Sequence, residues 1–116
     1  NLPGRPDLVF PKYHAVVFVN GCFWHGHDCA LFRWPASRRE FWENKIRSNQ
    51  VRDTRNLKDL AHRGWRTGIV WECALKGKDR LDLPHITEDI RKWLLSDAPS
   101  LTISGGGTVT SGSDTA

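Results

Sequence analysis

The sequence has no methionine, one tyrosine and no apolar run approaching 18 residues. The missing apolar run excludes a membrane-spanning helix, which needs about 20 mostly apolar residues. The first ten residues, NLPGRPDLVF, have neither the basic start nor the apolar stretch of a signal peptide. Asn1 is not an initiator methionine, so we expect further residues upstream. Cysteine is scarce too, with three in 116 residues. An odd number without a secretory signal argues against a disulfide framework. A cytoplasmic protein that does not enter a membrane is expected.

Two residue classes are over-represented. Six tryptophans stand in a chain of 116. Tryptophan is costly to place and serves either as core or as an anchor on a ligand. The second excess is local and basic. Between Arg33 and Arg66 there are ten Lys and Arg against four acids, although the whole chain carries only +4. Such a face suits a phosphate backbone, or is simply a solvated helix surface.

At 116 residues the chain is one domain or most of one. Residues 13–20, YHAVVFVN, read as a buried β-branched strand, and PDLVF at 6–10 as a shorter strand joined to it by a turn at Pro11-Lys12. SRRE at 37–40 has capping-box form, with Ser37 and Glu40 as the reciprocal pair. A helix over 38–62 should follow, its inner stripe running through Trp42, Ile46, Asn49, Asp53, Leu57 and Leu60. Gly64 stands where a helix ends in a left-handed residue. WRTGIVWEC at 65–73 reads as a strand parallel to 13–20, because a helix connects them. A last helix should start with Thr87 as its N-cap and run to about Ser96. We assign 1–96 to one domain and expect 97–116, rich in Gly, Ser and Thr, to be a disordered tail.

The stretch GCFWHGHDC, 21–29, carries the chemistry-bearing residues. Cys22, His27 and Cys29 form C-x4-H-x-C, and Cys73 at the end of the neighbouring strand supplies a fourth soft donor. Four N and S donors suit a tetrahedral structural zinc. Buried thiols beside a surface histidine are the alternative. His25 is left over: it could displace His27 as a ligand, or face outward from a loop pinned by the metal. Asp53, on the apolar stripe, needs a partner if buried. That partner is His25, or an arginine such as Arg52 at the helix surface. Asp7, at the start of the hairpin, is either a turn residue or a hard-oxygen ligand for magnesium. The acid-x-Lys that often accompanies such a carboxylate in nucleases is absent, and Val19 and Asn20 stand in its place.

LPGRPD (2–7), NGCFWHGHDC (20–29), FWENKI…N…RD (41–53) and GW…IVWECAL (64–75) together resemble the very-short-patch-repair (Vsr) DNA mismatch endonucleases. The resemblance implies an α/β, restriction-endonuclease-like (PD-(D/E)xK type) fold, with a central mixed sheet, flanking helices and a structural zinc site. It implies a magnesium-dependent enzyme that nicks DNA on the 5′ side of the T of a T:G mismatch left by deamination of 5-methylcytosine. Asp7 then matches the metal-binding carboxylate, with the Val19 carbonyl beside it. His25 matches the histidine that activates water, and Asp53 its carboxylate partner. Cys22, His27, Cys29 and Cys73 match the zinc ligands. Phe23, Trp24 and Trp42 match aromatics that wedge into DNA beside the mismatch, while Arg38, Arg39 and Lys45 on the basic helix are expected to grip phosphates. Asn20 replaces a histidine that assists at the phosphate; it keeps hydrogen bonding but not proton chemistry. The family also carries a helical segment before LPGRPD with an acidic catalytic residue. The sequence here lacks it and is expected to be N-terminally incomplete. The expected partners are double-stranded DNA with a T:G mismatch and mismatch-repair helper proteins, and the protein itself is expected to be a monomer. The alternative is a zinc-stabilised DNA-binding module with little nuclease activity.

Overall fold

The computed structural model describes residues 2–111. Its five-stranded sheet has the order β1-β2-β3-β4-β5: Leu8–Phe10, Ala15–Asn20, Arg66–Trp71, Ser100–Ser104 and Gly107–Ser111. β2, β3 and β4 run parallel, and the outer strands β1 and β5 pair antiparallel with their neighbours. The sheet is therefore mixed, and with its helices it fits the α/β architecture expected. Among the described residues no helix is long and apolar enough to cross a membrane.

β2 is the centre of the packing because Ala15, Val16 and Val17 are all fully buried. Alternation along the strand sends Ala15 and Val17 to one face and Val16 and Phe18 to the other. On the first face lie Ile86 and Trp93 of helix α3, Leu83–Leu95, with Val70, Leu101 and Ile103. On the second lies helix α1, Arg39–His62, whose Ile46, Asn49 and Leu60 are buried. The expected stripe is thus the inner face of α1, and Gly64 does take the left-handed conformation after it, at φ +84°. A one-turn helix α2, Glu72–Leu75, follows β3 directly.

Several local expectations are corrected. The capping box is not made: Arg38 occupies the N-cap in a left-handed conformation, and no side chain caps the helix. Instead the Arg38 guanidinium stacks on Phe41 at 4.2 Å and that of Arg39 on Trp34 at 4.4 Å at the start of α1. The hairpin connection is a 3-10 turn, Pro11–Tyr13, rather than a two-residue turn. α3 begins at Leu83 rather than after Thr87, because Pro84 suits a first helical turn. Thr87 turns its hydroxyl back to the Pro84 carbonyl at 3.0 Å and caps nothing.

The largest correction concerns the tail. Residues 100–104 and 107–111, placed by composition in a disordered segment, form β4 and β5. Leu101 and Ile103 alternate with Thr102 and Ser104, so a short strand pattern was present within the Gly/Ser/Thr background. Both apolar residues are almost completely buried. The rest of the expected tail, residues 112–116, lies outside the described residues.

Arg66 ties β3 to the end of α3 and the segment that leads into β4. Its guanidinium donates to the carbonyls of Trp93 (2.6 Å), Ser96 (2.9 Å), Ala98 (3.1 Å) and Leu94 (3.3 Å) and lies over the Trp93 ring. A cation here satisfies the orphan carbonyls of α3 and complements its dipole. Arg66→Met keeps the stem and removes the donors. We expect a loss of about 2–3 kcal/mol in urea unfolding, from charged hydrogen bonds of this kind. A change below about 0.5 kcal/mol, the level of an ordinary surface substitution, would contradict the capping role.

Candidate active site and metal centre

The parallel register of β2 and β3 builds the candidate metal centre. Asn20 pairs with Trp71 at the carboxyl ends of the two strands. Two residues beyond each lie Cys22 and Cys73. The 21–29 loop then folds back on itself, His27 N–H donating to the Cys22 carbonyl at 2.9 Å. The donor atoms of Cys22, His27, Cys29 and Cys73 all lie within 4.8 Å of one another. His27 Nδ1 is 3.5 Å from Cys22 Sγ and 3.7 Å from Cys73 Sγ. Its ring stacks flat on Trp71, 4.1 Å between centroids. The same burial lowers the pKa of His27 and keeps its nitrogen available as a ligand. Burial pushes the Cys22 thiol up to about 12. Without a metal the thiol therefore keeps its proton, and an arriving cation must displace it. Three sulfurs and one imidazole within a few ångströms are a donor set that can hold a metal such as zinc.

Glu72 ties the two halves together. Its Oε1 accepts the Cys22 N–H at 3.1 Å, and its other oxygen pairs with Lys76 at 2.9 Å. The Lys76 ammonium, and then the Cys22 N–H, draw its carboxyl below the usual range.

Two residues before His27, the His25 ring lies edge-on to the same Trp71, 6.0 Å between centroids. His25 Nδ1 is hydrogen-bonded to Asp53 Oδ2, so Asp53 finds its partner in this loop and not at the helix surface. Helix α1 also grips the loop by its backbone. Asn49 donates to the Trp24 carbonyl at 2.8 Å and Gln50 to the His25 carbonyl at 3.1 Å. Arg52 in turn holds the Asn49 side-chain oxygen at 2.8 Å. Sequence reasoning missed the loop-holding roles of Asn49 and Gln50. A polar residue in the middle of an apolar helical stripe was the available signal for Asn49; Gln50 offered none.

A cleft of ≈ 180 Å³ opens beside this pair, and Asp7, Asn20, His25 and Asp53 all line it. Arg5 and Asn56, not anticipated, line it as well. Asp7 arrives there because its N–H donates to the Val17 carbonyl at 3.0 Å while its Oδ2 accepts the Val19 N–H at 2.7 Å. Since the N–H and C=O of one strand residue face the same neighbour, the Val19 carbonyl looks towards the β1 side as well. The Val19 side chain is exposed and takes no part.

Next to the cleft stands an aromatic cluster. The rings of Phe23, Trp24 and Trp42 meet edge to face at 5.3–5.8 Å. Phe32, Trp34 and Phe41 extend it. Trp24 is 51% exposed, whereas Trp93 at 1% is a core residue, so the tryptophan excess divides between the two uses. Trp34 and Phe41 are exposed as well, so part of this cluster faces solvent. Arg38 and Arg39 sit on its rim through their stacking contacts, and Lys45 is exposed further along α1. A wider groove of ≈ 680 Å³ runs past Phe32, Trp34, Ile46 and Arg47, away from Asp7 and the His25–Asp53 pair.

The chain is similar in sequence to known DNA endonucleases and nicking enzymes. Residues 1–31 match the family model described as DNA mismatch endonuclease Vsr. The chain is 48% identical over 103 residues to the DNA mismatch endonuclease Vsr of Escherichia coli (strain K12), covering 89% of this chain and 66% of that protein. It is 48% identical over 82 residues to the type II nicking enzyme V.XorIIP of Xanthomonas oryzae, covering 71% of this chain and 60% of the other. It is 47% identical over 75 residues to the nicking enzyme V.NmeAIP of Neisseria meningitidis, covering 65% and 54%. The chain thus spans just under two thirds of the first of these relatives and less of the others. With close to half of the aligned positions identical over 89% of its length, the chain belongs to the Vsr DNA mismatch endonuclease family.

Proposed function

We propose that this chain carries the catalytic core of a mismatch-directed endonuclease, which nicks one DNA strand on the 5′ side of the T in a T:G mismatch. The observation that carries the reading is the His25–Asp53 pair opening into the cleft that Asp7 lines.

The donor chemistry at Asp7 fits magnesium. One carboxylate plus a strand carbonyl, here Val19, is the sparse oxygen set this ion takes when substrate phosphate and water complete its shell. Bound there, magnesium would supply Lewis-acid stabilisation of charge at the phosphate. The Cys22–His27–Cys29–Cys73 cluster is proposed to hold zinc in a purely structural role.

The remaining steps belong to the protein. The Asp53 carboxylate accepts from His25 Nδ1, which leaves the Nε2 lone pair free. That nitrogen takes the proton of the attacking water as its oxygen bonds to phosphorus and the P–O bond to the leaving strand breaks. Asn20, in the same cleft, offers a neutral hydrogen bond to the phosphate. The aromatic cluster finds the mismatch because a mispaired step is less costly to unstack, and Arg38, Arg39 and Lys45 bind the backbone without reading sequence.

The test is magnesium-dependent nicking of matched duplexes that differ only in a T:G or a C:G pair. Selective nicking of the T:G duplex is expected. Selective binding with no nicking would overturn the enzyme and leave a DNA-binding module. Trp24→Ala should reduce the affinity for T:G DNA by about 5- to 150-fold, the range for loss of one base–aromatic stack. Its melting temperature should hold, since the ring is half exposed. Unchanged affinity would exclude Trp24 from the wedge.

A further inference from the structure

The β4–β5 hairpin reaches the sulfur cluster. Gly105, at its turn, directs its backbone N–H at Cys73 Sγ, 3.1 Å away. The neighbouring Gly106 N–H donates to the Asp79 carbonyl at 3.0 Å, and Thr108 donates to Asp89 of α3 at 2.6 Å, so the hairpin is docked at three points. The approach at Gly105 is too close for any side chain. A Cβ there would lie 2.9 Å from the Cys73 carbonyl oxygen and 2.9 Å from Asp79 Cβ. A Cβ on Gly106 would meet nothing within 4 Å.

From these contacts we propose that Gly105 is a positioning residue of the metal centre, its N–H holding the Cys73 sulfur in the direction of the ion. The inference rests on the reading of the cluster as a metal site. A thiolate without a donor behind it is free to rotate about its side chain and carries its full charge. One N–H from a docked hairpin fixes the lone pairs and takes up part of that charge. Outer partners of this kind, when removed, typically cost about 10- to 100-fold in metal affinity. Glycine is required because only it brings the backbone close enough; the hairpin is thereby part of the centre and not an appendage to it.

The full chain is titrated with Co²⁺ and with Zn²⁺, following the sulfur-to-cobalt absorption. Wild type should bind one ion with thiolate bands; if it binds none, the metal reading itself fails. In Gly105→Ala we expect affinity to fall about 10- to 100-fold, with a weakened, shifted thiolate band and faster release of zinc to a chelator. Gly106→Asn tolerates the left-handed turn (φ +92°), loads the same hairpin and leaves Cys73 alone. It should bind within about twofold of wild type. Equal affinity and equal spectra in Gly105→Ala and wild type would overturn the proposal, as would an equal loss in both glycine variants. Should Gly105→Ala not fold, ¹¹³Cd-loaded wild type decides: scalar coupling from the Gly105 amide proton to the metal is expected, and its absence would refute the contact.

Discussion

His25→Ala is expected to remove nicking of T:G DNA almost completely, by about 10²- to 10⁴-fold in rate, the usual contribution of a positioned general base. Zinc content, DNA affinity and melting temperature should stay near wild type. The reason lies in how the loop is held. Its hydrogen bonds to Asn49 and Gln50 use the carbonyls of residues 24 and 25, which alanine retains. The donors it offers to a metal lie at 22, 27 and 29, all outside the substituted ring. Asp53→Asn probes the same idea from the other side. The amide nitrogen would donate to Nδ1 and move the proton to Nε2, so the nitrogen facing the cleft could no longer accept. A large loss of rate is expected there too, with DNA binding unchanged. Single-turnover nicking, circular dichroism melts and metal analysis on both variants check this. Full activity in either one would dismiss the acid–base pair. Loss of folding in His25→Ala would make the ring structural.

Cys73→Ala should lose the bound metal and with it much of the stability. A ligand present at 1,000 times its dissociation constant adds about 4 kcal/mol to the folded state. At about 4–8 °C per kcal/mol for a small domain, the melting temperature should fall by roughly 15–30 °C. Buried thiols with no metal predict something different, namely the modest cost of one small core truncation, and insensitivity to chelators. The distinguishing measurement is a melt with and without a strong chelator. Wild type should be destabilised by the chelator and Cys73→Ala should not respond. A wild-type melting curve that ignores the chelator would refute the metal centre. The His25–Asp53 pair should suffer in Cys73→Ala as well, because β3 would no longer anchor the loop that carries His25.

Much of this was legible in the chain. The β-branched run at 15–20, the stripe from Trp42 to Leu60 and the run at 66–71 identify strand, helix and strand, because burial on both faces or on one leaves different periodicities. Local details were less legible. SRRE has the form of a capping box, yet Arg38 takes the N-cap in a left-handed conformation, and Arg38 and Arg39 lie over aromatic rings. Thr87 has the chemistry of a cap, yet Pro84 starts the helix a turn earlier. The hairpin was hidden because Gly, Ser and Thr signal disorder by average composition. Leu101 and Ile103 escape that average only when β3 offers them a parallel edge and α3 a lid.

By itself the sequence determined the inventory: four soft ligands, a spare imidazole, two isolated carboxylates, an aromatic group and a basic helix. It determined which of these lie within a few residues of each other, since short-range order is a property of the chain. Only the tertiary structure decided that Asp53 faces His25 and not Arg52, that Asp7 shares their cleft, and that Gly105 reaches Cys73. Those pairings lie 28, 46 and 32 positions apart in the chain. They exist because a parallel crossover brings β2 and β3 into register and a glycine lets a backbone approach a sulfur; the order of elements along the chain predicts the crossover, but its register and the approach of the glycine are set by packing.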